Sequence, residues 1–387
     1  MLKVNYITRP WFLDIALELI AELKERVQLN VVLIIAPENA SYLGISKEEA
    51  NQYLDKIVPL EEIINGEAYE RLYPYFNGAV VCCKFEQHKE TSYKNTLGWF
   101  KYLRSNPEFL KADLQILETL SLADWYLLLR IRNKKIFYIL HDPVPHTGEG
   151  RDREENIKKI YFPYINKFIT YSEYSASLFL NYYQDYRKKL IKFKMPVYTN
   201  QKVTTFLDYK KNDKKSVLFF GRISAYKGVE LFYAAADILA PKYPYVDFII
   251  AGKSIEGYHP CFITDNKHQN IIIKNQFITL AQLNSLMFNA DLCVVPYIDA
   301  TQSGVIMTSY AFNLPVLVSN CEGLLEYCLD NENFSFENQN LKDLTNKLEY
   351  LITHPELISS YQQKIDAYNL QKASVINSNL ILDNIAF

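Results

Sequence analysis

Short unbroken apolar runs recur along the chain, and stretches with helical spacing lie between them. Residues 4–7, 31–36, 79–85, 114–117, 136–140 and 168–171 are such runs in the first half, and 216–220, 246–251, 271–273, 292–296 and 315–319 in the second. Their length and continuity suit strands buried on both faces. Residues 11–23 read as a helix between the first two strands. After Val229, apolar positions at Leu231, Phe232, Ala235, Ala236 and Leu239 repeat with helical period. Strand and helix alternating in this way predict an α/β fold, with parallel sheets covered by helices on both faces.

The pattern also divides the chain. Residues 201–215 are polar and end in Lys210-Lys211-Asn212-Asp213-Lys214-Lys215, which suits a linker. The expected division is an N-terminal domain over 1–205, a C-terminal domain over 206–370 and a helix-prone tail over 371–387. The length allows a core in each domain. Residues 44–75 read as a helical, charged surface insertion without a specific role.

Candidate chemistry gathers where strands hand over to helices. The run 216–220 ends at Gly221, and Arg222, Lys227 and Gly228 follow before the Val229 helix. Glycines let the backbone approach a ligand, Arg can grip a phosphate as a fork, and Lys acts as a mobile point charge. The same loop also reads as an ordinary turn with solvated charges. A second unit has the run 292–296, then Tyr297, Ile298, Asp299, Ala300, Thr301, Gln302, Ser303 and Gly304, and then a helix stopped at Asn313-Leu314-Pro315. Both loops fall at the carboxyl ends of strands, where open α/β sheets bind ligands. The chain contains no Gly-x-Gly-x-x-Gly and no Walker loop, which argues against a dinucleotide or NTPase site.

In the order and spacing of these motifs, residues 214–330 resemble the retaining glycosyltransferases of family 4. The resemblance rests on Gly221-Arg222 with Lys227-Gly228, Ala290-Asp291 before a strand ending in Pro296-Tyr297, Ser303-Gly304, Leu314-Pro315-Val316, and Gly323 with Glu326. It implies the GT-B fold, two Rossmann-like doubly wound domains facing each other across a cleft. It also implies that Gly221, Arg222, Lys227, Ser303 and Gly304 hold the diphosphate of a nucleotide-sugar donor. Helix N-termini favour anions in the same way. Asp299, Thr301, Gln302 and Glu326 are then candidates for the donor sugar, and Phe277 stands near where the family seats the base. The nucleotide-sugar is a substrate, so no cofactor is implied.

The resemblance further implies an acceptor-binding N-terminal domain, a last helix that crosses back to it, and a donor-sugar histidine that would be His141. In surface polysaccharide synthesis the acceptor would be a glycan or lipid-linked molecule. The chain departs from the family at Ala300 and Thr308, where two glutamates are usual. A catalytically silent partner subunit and a nucleotide-sugar epimerase therefore stand as alternatives.

Composition narrows the partners. The formal net charge is -2, so nothing global points to nucleic acid. Glycine is scarce, 12 residues in 387, against a usual share of about 7%, yet Gly221, Gly228, Gly304 and Gly323 fall in the motifs and Gly252 ends the apolar run 246–251. The cysteines are scattered without a Cys-x-x-Cys pair, which suits core thiols in a reducing compartment. The first 25 residues carry Arg9, Asp14, Glu18 and Glu22 and match neither a signal peptide nor a membrane span. A cytoplasmic enzyme is expected.

His141-Asp142-Pro143 follows the run 136–140. Besides the donor-sugar role, it reads as a hydrogen-bonded turn pair or, with His146, as part of a metal site that lacks further ligands. No metal is expected, and no Asp-x-Asp clamp is present. Arg187, Lys188, Lys189, Lys192 and Lys194 form a basic run. It reads as a solvated helix face or as a peripheral contact with an anionic inner membrane or lipid diphosphate.

Overall fold

The structure, a computed structural model, describes residues 1–86, 92–143, 158–203, 214–260 and 262–385. Contacts divide the chain into two units, Met1–Pro196 with Ala373–Phe387, and Val197–Lys372. The expected boundary at 205/206 lies outside the described residues, as does His146.

The first unit is built on β1 (Lys3–Thr8), β2 (Gln28–Ile35), β3 (Ile57–Pro59), β4 (Val80–Phe85), β5 (Leu114–Leu117), β6 (Lys135–Ile139), β7 (Lys167–Thr170) and β8 (Leu190–Lys192). They form one sheet in the order β3-β4-β2-β1-β5-β6-β7-β8. All pairs are parallel except β3 on β4. The central strands are buried nearly throughout, because helices cover both faces and the strands must be apolar on both sides. From β1 the chain winds one way to β2 and β4, then returns to place β5 on the other side of β1. Tyr6 pairs with Val31, and Val4 with Leu114. The carboxyl ends of β1 and β5 therefore flank a topological switch point. Many of the chain's aromatic residues fill one core. Phe162 lies 4.7 Å from Phe168 and 5.1 Å from Tyr183 between ring centroids, with Trp99 and Phe179 in the same cluster.

Two expectations need correction. The stretch 44–75 is not a purely helical insertion. It contributes β3 to the sheet edge, with Val58 opposite Cys83, and the Gly66–Phe76 helix, which buries Ala68, Leu72 and Phe76. A three-residue edge strand needs a ladder on one side only and tolerates Pro59, so its pattern is too short to read. The basic run is not a helix face either. Residues Gln184–Lys189 form a 3-10 turn, and β8 follows, with Ile191 and Phe193 buried. Lys192 Nζ pairs with Glu173 at 2.5 Å, and Lys189 donates to the Ile165 carbonyl.

The second unit carries β9 (Lys215–Phe220), β10 (Val246–Ala251), β11 (Ile271–Lys274), β12 (Leu292–Val295), β13 (Val316–Ser319) and β14 (Ser335–Phe336). The sheet is parallel, in the order β11-β10-β9-β12-β13-β14. The two-residue β14 has no sequence signal of its own. The switch point here lies between β9 and β12, the strands that precede the two candidate loops.

The last helix, Ala373–Ile385, packs with the first unit. Arg26 donates to Ser378 Oγ at 2.9 Å and to Asn379 Oδ1 at 2.7 Å. The buried Asn377 bonds the Lys194 backbone in both directions. Among the described residues, no helix is long and apolar enough to cross a membrane.

Candidate functional site

In the second unit the loops after β9, β10, β12 and β13 close on one another. Gly221 takes φ 132°, and the loop it opens pairs Ile223 with Ser254 in the loop after β10. A Cβ on Gly221 would stand 3.7 Å from Val305 in the helix Gly304–Ala311. Gly228 has φ 62°, and a Cβ there would lie 1.9 Å from the Pro296 carbonyl oxygen. Only glycine lets these two strand ends meet so closely. The Ile298 amide donates to the Tyr226 carbonyl at 2.8 Å and ties the loops together. Gly323 presses the loop after β13 onto Ala300 and Thr301, whose carbonyl oxygens would stand 2.3 and 2.6 Å from an added Cβ.

The side chains in this corner are unevenly satisfied. Lys227 Nζ sits 3.6 Å above the ring centroid of buried Tyr297, a cation–π contact. Arg222 is exposed and has no carboxylate partner among the described residues. Burial pushes the Tyr297 phenol well up, while the Ser303 hydroxyl and, to a lesser degree, the nearby Arg222 charge pull the other way. Ser224 Oγ and Gln302 Oε1 are buried without hydrogen-bond partners, and the buried Tyr297 and Ser303 hydroxyls have only each other. Ser303 occupies the N-cap of the Gly304–Ala311 helix, yet no side chain caps that end. Buried polar atoms are normally paired, so a group of orphans beside an uncapped helix start needs a reason. An anionic ligand bearing several acceptors would supply one.

The structure thus brings Gly221, Arg222, Lys227, Ser303 and Gly304 into one corner, with Thr301 and Gln302 on the same loop. Asp299 is half-buried, and its charge adds to the burial that raises the Cys321 thiol. Ala300 and Thr308 are buried. Glu326 is exposed just past the Glu322–Leu325 helix. Phe277 lies beyond the edge strand β11 and is 61% exposed. Tyr297 and Ser224 are the members of this corner that sequence reasoning missed. The described cysteines are free, and burial pushes Cys293 up to about 12. Among the described residues, no cluster of His, Cys, Asp or Glu could hold a metal ion.

The first unit holds a second polar group at its own switch point. His141 follows β6 and is 8% exposed. Its ring stacks on Phe12 at 3.9 Å and lies 5.9 Å from Tyr171. Its Nε2 is 3.3 Å from Oε1 of the fully buried Glu118, the residue after β5. The Thr8 hydroxyl donates to the other carboxylate oxygen. Beside this group, Arg9 contacts Glu86 at 3.3 Å, and Lys84 contacts Glu86 at 2.5 Å, all buried. Asp124 accepts from Trp99 Nε1 at 2.7 Å; burial first, and then the Glu86 charge, raise its carboxyl. Sequence reading missed Glu118, although a carboxylate directly after an apolar strand at a switch point was a usable signal.

Residues 214–354 match the family model described as glycosyl transferases group 1. Most of the second unit is thus similar to the group 1 glycosyl transferases. The matched segment spans β9 to β14 and contains every donor-loop residue named above. A Haemophilus influenzae protein described as an uncharacterized glycosyltransferase is 25% identical over 159 residues, 40% of this chain and 44% of that relative. The match therefore spans less than half of the relative's length. The whole chain superposes on sucrose-phosphate synthase from Thermosynechococcus elongatus (TM-score 0.70, 14% identity, 100% of both chains). It does so too on Anabaena HepE, solved with UDP and glucose (TM-score 0.69, 16% identity, 100% of both chains). UDP-GlcNAc 2-epimerase from Neisseria meningitidis, solved with UDP-GlcNAc, gives a TM-score of 0.63 at 14% identity, covering 99% of this chain and 100% of that one. The fold is GT-B.

Proposed function

We propose that this protein moves a sugar from a nucleotide-diphosphate sugar to a glycan or lipid-linked acceptor, with retention of anomeric configuration. One observation carries the reading: two cations, an uncapped helix start and the unpartnered buried Ser224 Oγ and Gln302 Oε1 meet at the switch point of the second unit. In this reading Arg222, Lys227 and the amides at Ser303-Gly304 hold the donor diphosphate and stabilise the charge that develops on the leaving group. Asp299, Thr301, Gln302 and Glu326 meet the donor sugar, Phe277 offers a ring to the base, and His141 is a substrate contact of the first unit. UDP or UDP-sugars in structures of the same fold support a nucleotide-sugar donor. No metal or other cofactor takes part, so turnover persists in EDTA.

The enzyme is of hexosyltransferase type and serves surface polysaccharide synthesis in the cytoplasm, with exposed Arg187, Lys188 and Lys194 able to touch an anionic membrane or lipid diphosphate. A thermal-shift screen of UDP, GDP, ADP and their sugars, followed by transfer assays on the stabilising donors, tests this. A donor at about 100 times its Kd adds roughly 2.7 kcal/mol of stability. Transfer with retention supports the proposal, and failure of every nucleotide diphosphate to bind refutes it. Two other readings keep specific support. Apolar Ala300 and neutral Thr308 favour a silent partner subunit, which would bind donor without turnover. The fold shared with an epimerase favours donor isomerisation, which would appear without any acceptor.

A further inference from the structure

Glu118 is a carboxylate at the inner end of the first unit's switch point, with side-chain exposure of 0%. A buried charge needs a partner. No Lys or Arg among the described residues pairs with it. Thr8 satisfies one oxygen. The other oxygen, Oε1, faces His141 Nε2 at 3.3 Å, close but not aligned as a hydrogen bond, and the Tyr6 hydroxyl also approaches this carboxylate. The imidazole is held in plane, stacked on Phe12 with an interplanar angle of 9° and lying at 26° to Tyr171. Its edge therefore stays turned to the carboxylate. Tyr6 stands on the same carboxylate, and its phenol is raised well above its ordinary value by burial first and by the Glu118 charge second.

A neutral imidazole has one donor nitrogen and one acceptor nitrogen, and the partner of one fixes the role of the other. If Nε2 were the bare nitrogen, two acceptors would face each other. If Nε2 carries the proton, the contact becomes a charge-assisted hydrogen bond that a small approach would tighten. The other nitrogen, Nδ1, has no hydrogen bond to a described residue. His141 also lines a cavity of about 180 Å³ with Phe12, Tyr138, Asp142 and Lys158.

We propose that Glu118 is a positioning residue that keeps the His141 proton on Nε2 and so presents Nδ1 as a hydrogen-bond acceptor to a substrate hydroxyl in this cavity. The role of Nδ1 rests on the reading of His141 as a substrate contact. The tautomer does not.

Nitrogen NMR of the full-length protein with isotope-labelled histidine, near neutral pH and without substrate, reads the tautomer directly. The His141→Asn variant identifies the signals. The expected result is a protonated Nε2 and a bare Nδ1 in the unaltered protein. Glu118→Gln offers an amide that can donate or accept, and should shift the ring toward the Nδ1-protonated form. It should also lower kcat by roughly tenfold or more with no change in UDP affinity. A ring protonated on Nδ1 or on both nitrogens in the unaltered protein overturns the proposal, and this result needs no folded variant. An unchanged tautomer in Glu118→Gln also overturns it, as does unchanged kcat once the tautomer has shifted. Absence of turnover with every donor refutes the transferase reading alone and leaves the NMR result standing.

Discussion

Removing the two loop cations separates a donor site from a structural strut. Arg222 is exposed, with no carboxylate partner among the described residues, so Arg222→Ala should change stability by no more than about 0.5 kcal/mol. Its full interaction with a bound diphosphate is then lost, and a hydrogen bond to a charged group contributes about 1.5–3 kcal/mol. The expected weakening is roughly 10- to 150-fold in Kd. Lys227 behaves differently, because its ammonium already rests 3.6 Å above the Tyr297 ring. That contact contributes about 0.5–1 kcal/mol at a half-exposed position. Lys227→Met should therefore lower stability by about that amount and weaken binding less than Arg222→Ala, by roughly 2- to 70-fold.

Isothermal titration with UDP, or with whichever nucleotide diphosphate stabilises the unaltered protein, gives both constants, and calorimetric melting gives the stabilities. The predicted order is Arg222→Ala weaker than Lys227→Met, with only the second variant melting earlier. Unchanged Kd in both variants would refute the reasoning, since the switch point of the second unit would then bind its ligand without its cations. A large fall in melting temperature for Arg222→Ala would show a structural strut.

Other outcomes follow from the same geometry. Gly228→Ala puts a methyl 1.9 Å from a backbone oxygen at φ 62°, so it should cost more than about 2 kcal/mol and abolish UDP binding, checked by denaturant melts and titration; a parent-like melt would contradict the loop packing. His141→Ala removes the ring that lies 3.3 Å from Glu118 Oε1, so the melting temperature should fall and turnover per folded molecule should drop, while UDP affinity stays within about twofold of the parent; full activity would remove His141 from the site. Sedimentation with anionic vesicles tests the basic stretch. Changing Arg187, Lys188 and Lys194 to Gln should release the protein, each charge contributing about 1 kcal/mol, and no binding by the parent at physiological salt would end the membrane reading.

The chain's own pattern determined the inner strands and both donor loops. Strands such as Leu114–Leu117 and Leu292–Val295 are buried on both faces, so burial alone forces an unbroken apolar run that can be read without a structure. The glycines at 221, 228 and 323 were legible for a related reason. In a chain poor in glycine, Gly228 and Gly323 each mark a place where a backbone oxygen leaves no room for a side chain, and Gly221 marks one where the backbone takes φ 132°. Only the tertiary structure decided the rest. β3, β8 and β14 are two or three residues long and take their conformation from the strand beside them, so their own residues carry almost no signal. The Lys227–Tyr297 contact joins two loops 70 positions apart in sequence, and Glu118 meets His141 only because β5 and β6 are neighbours in the sheet. Periodicity reports which face of an element is buried. Which polar groups meet at the ends of those elements depends on strand order, and strand order is a property of the whole sheet.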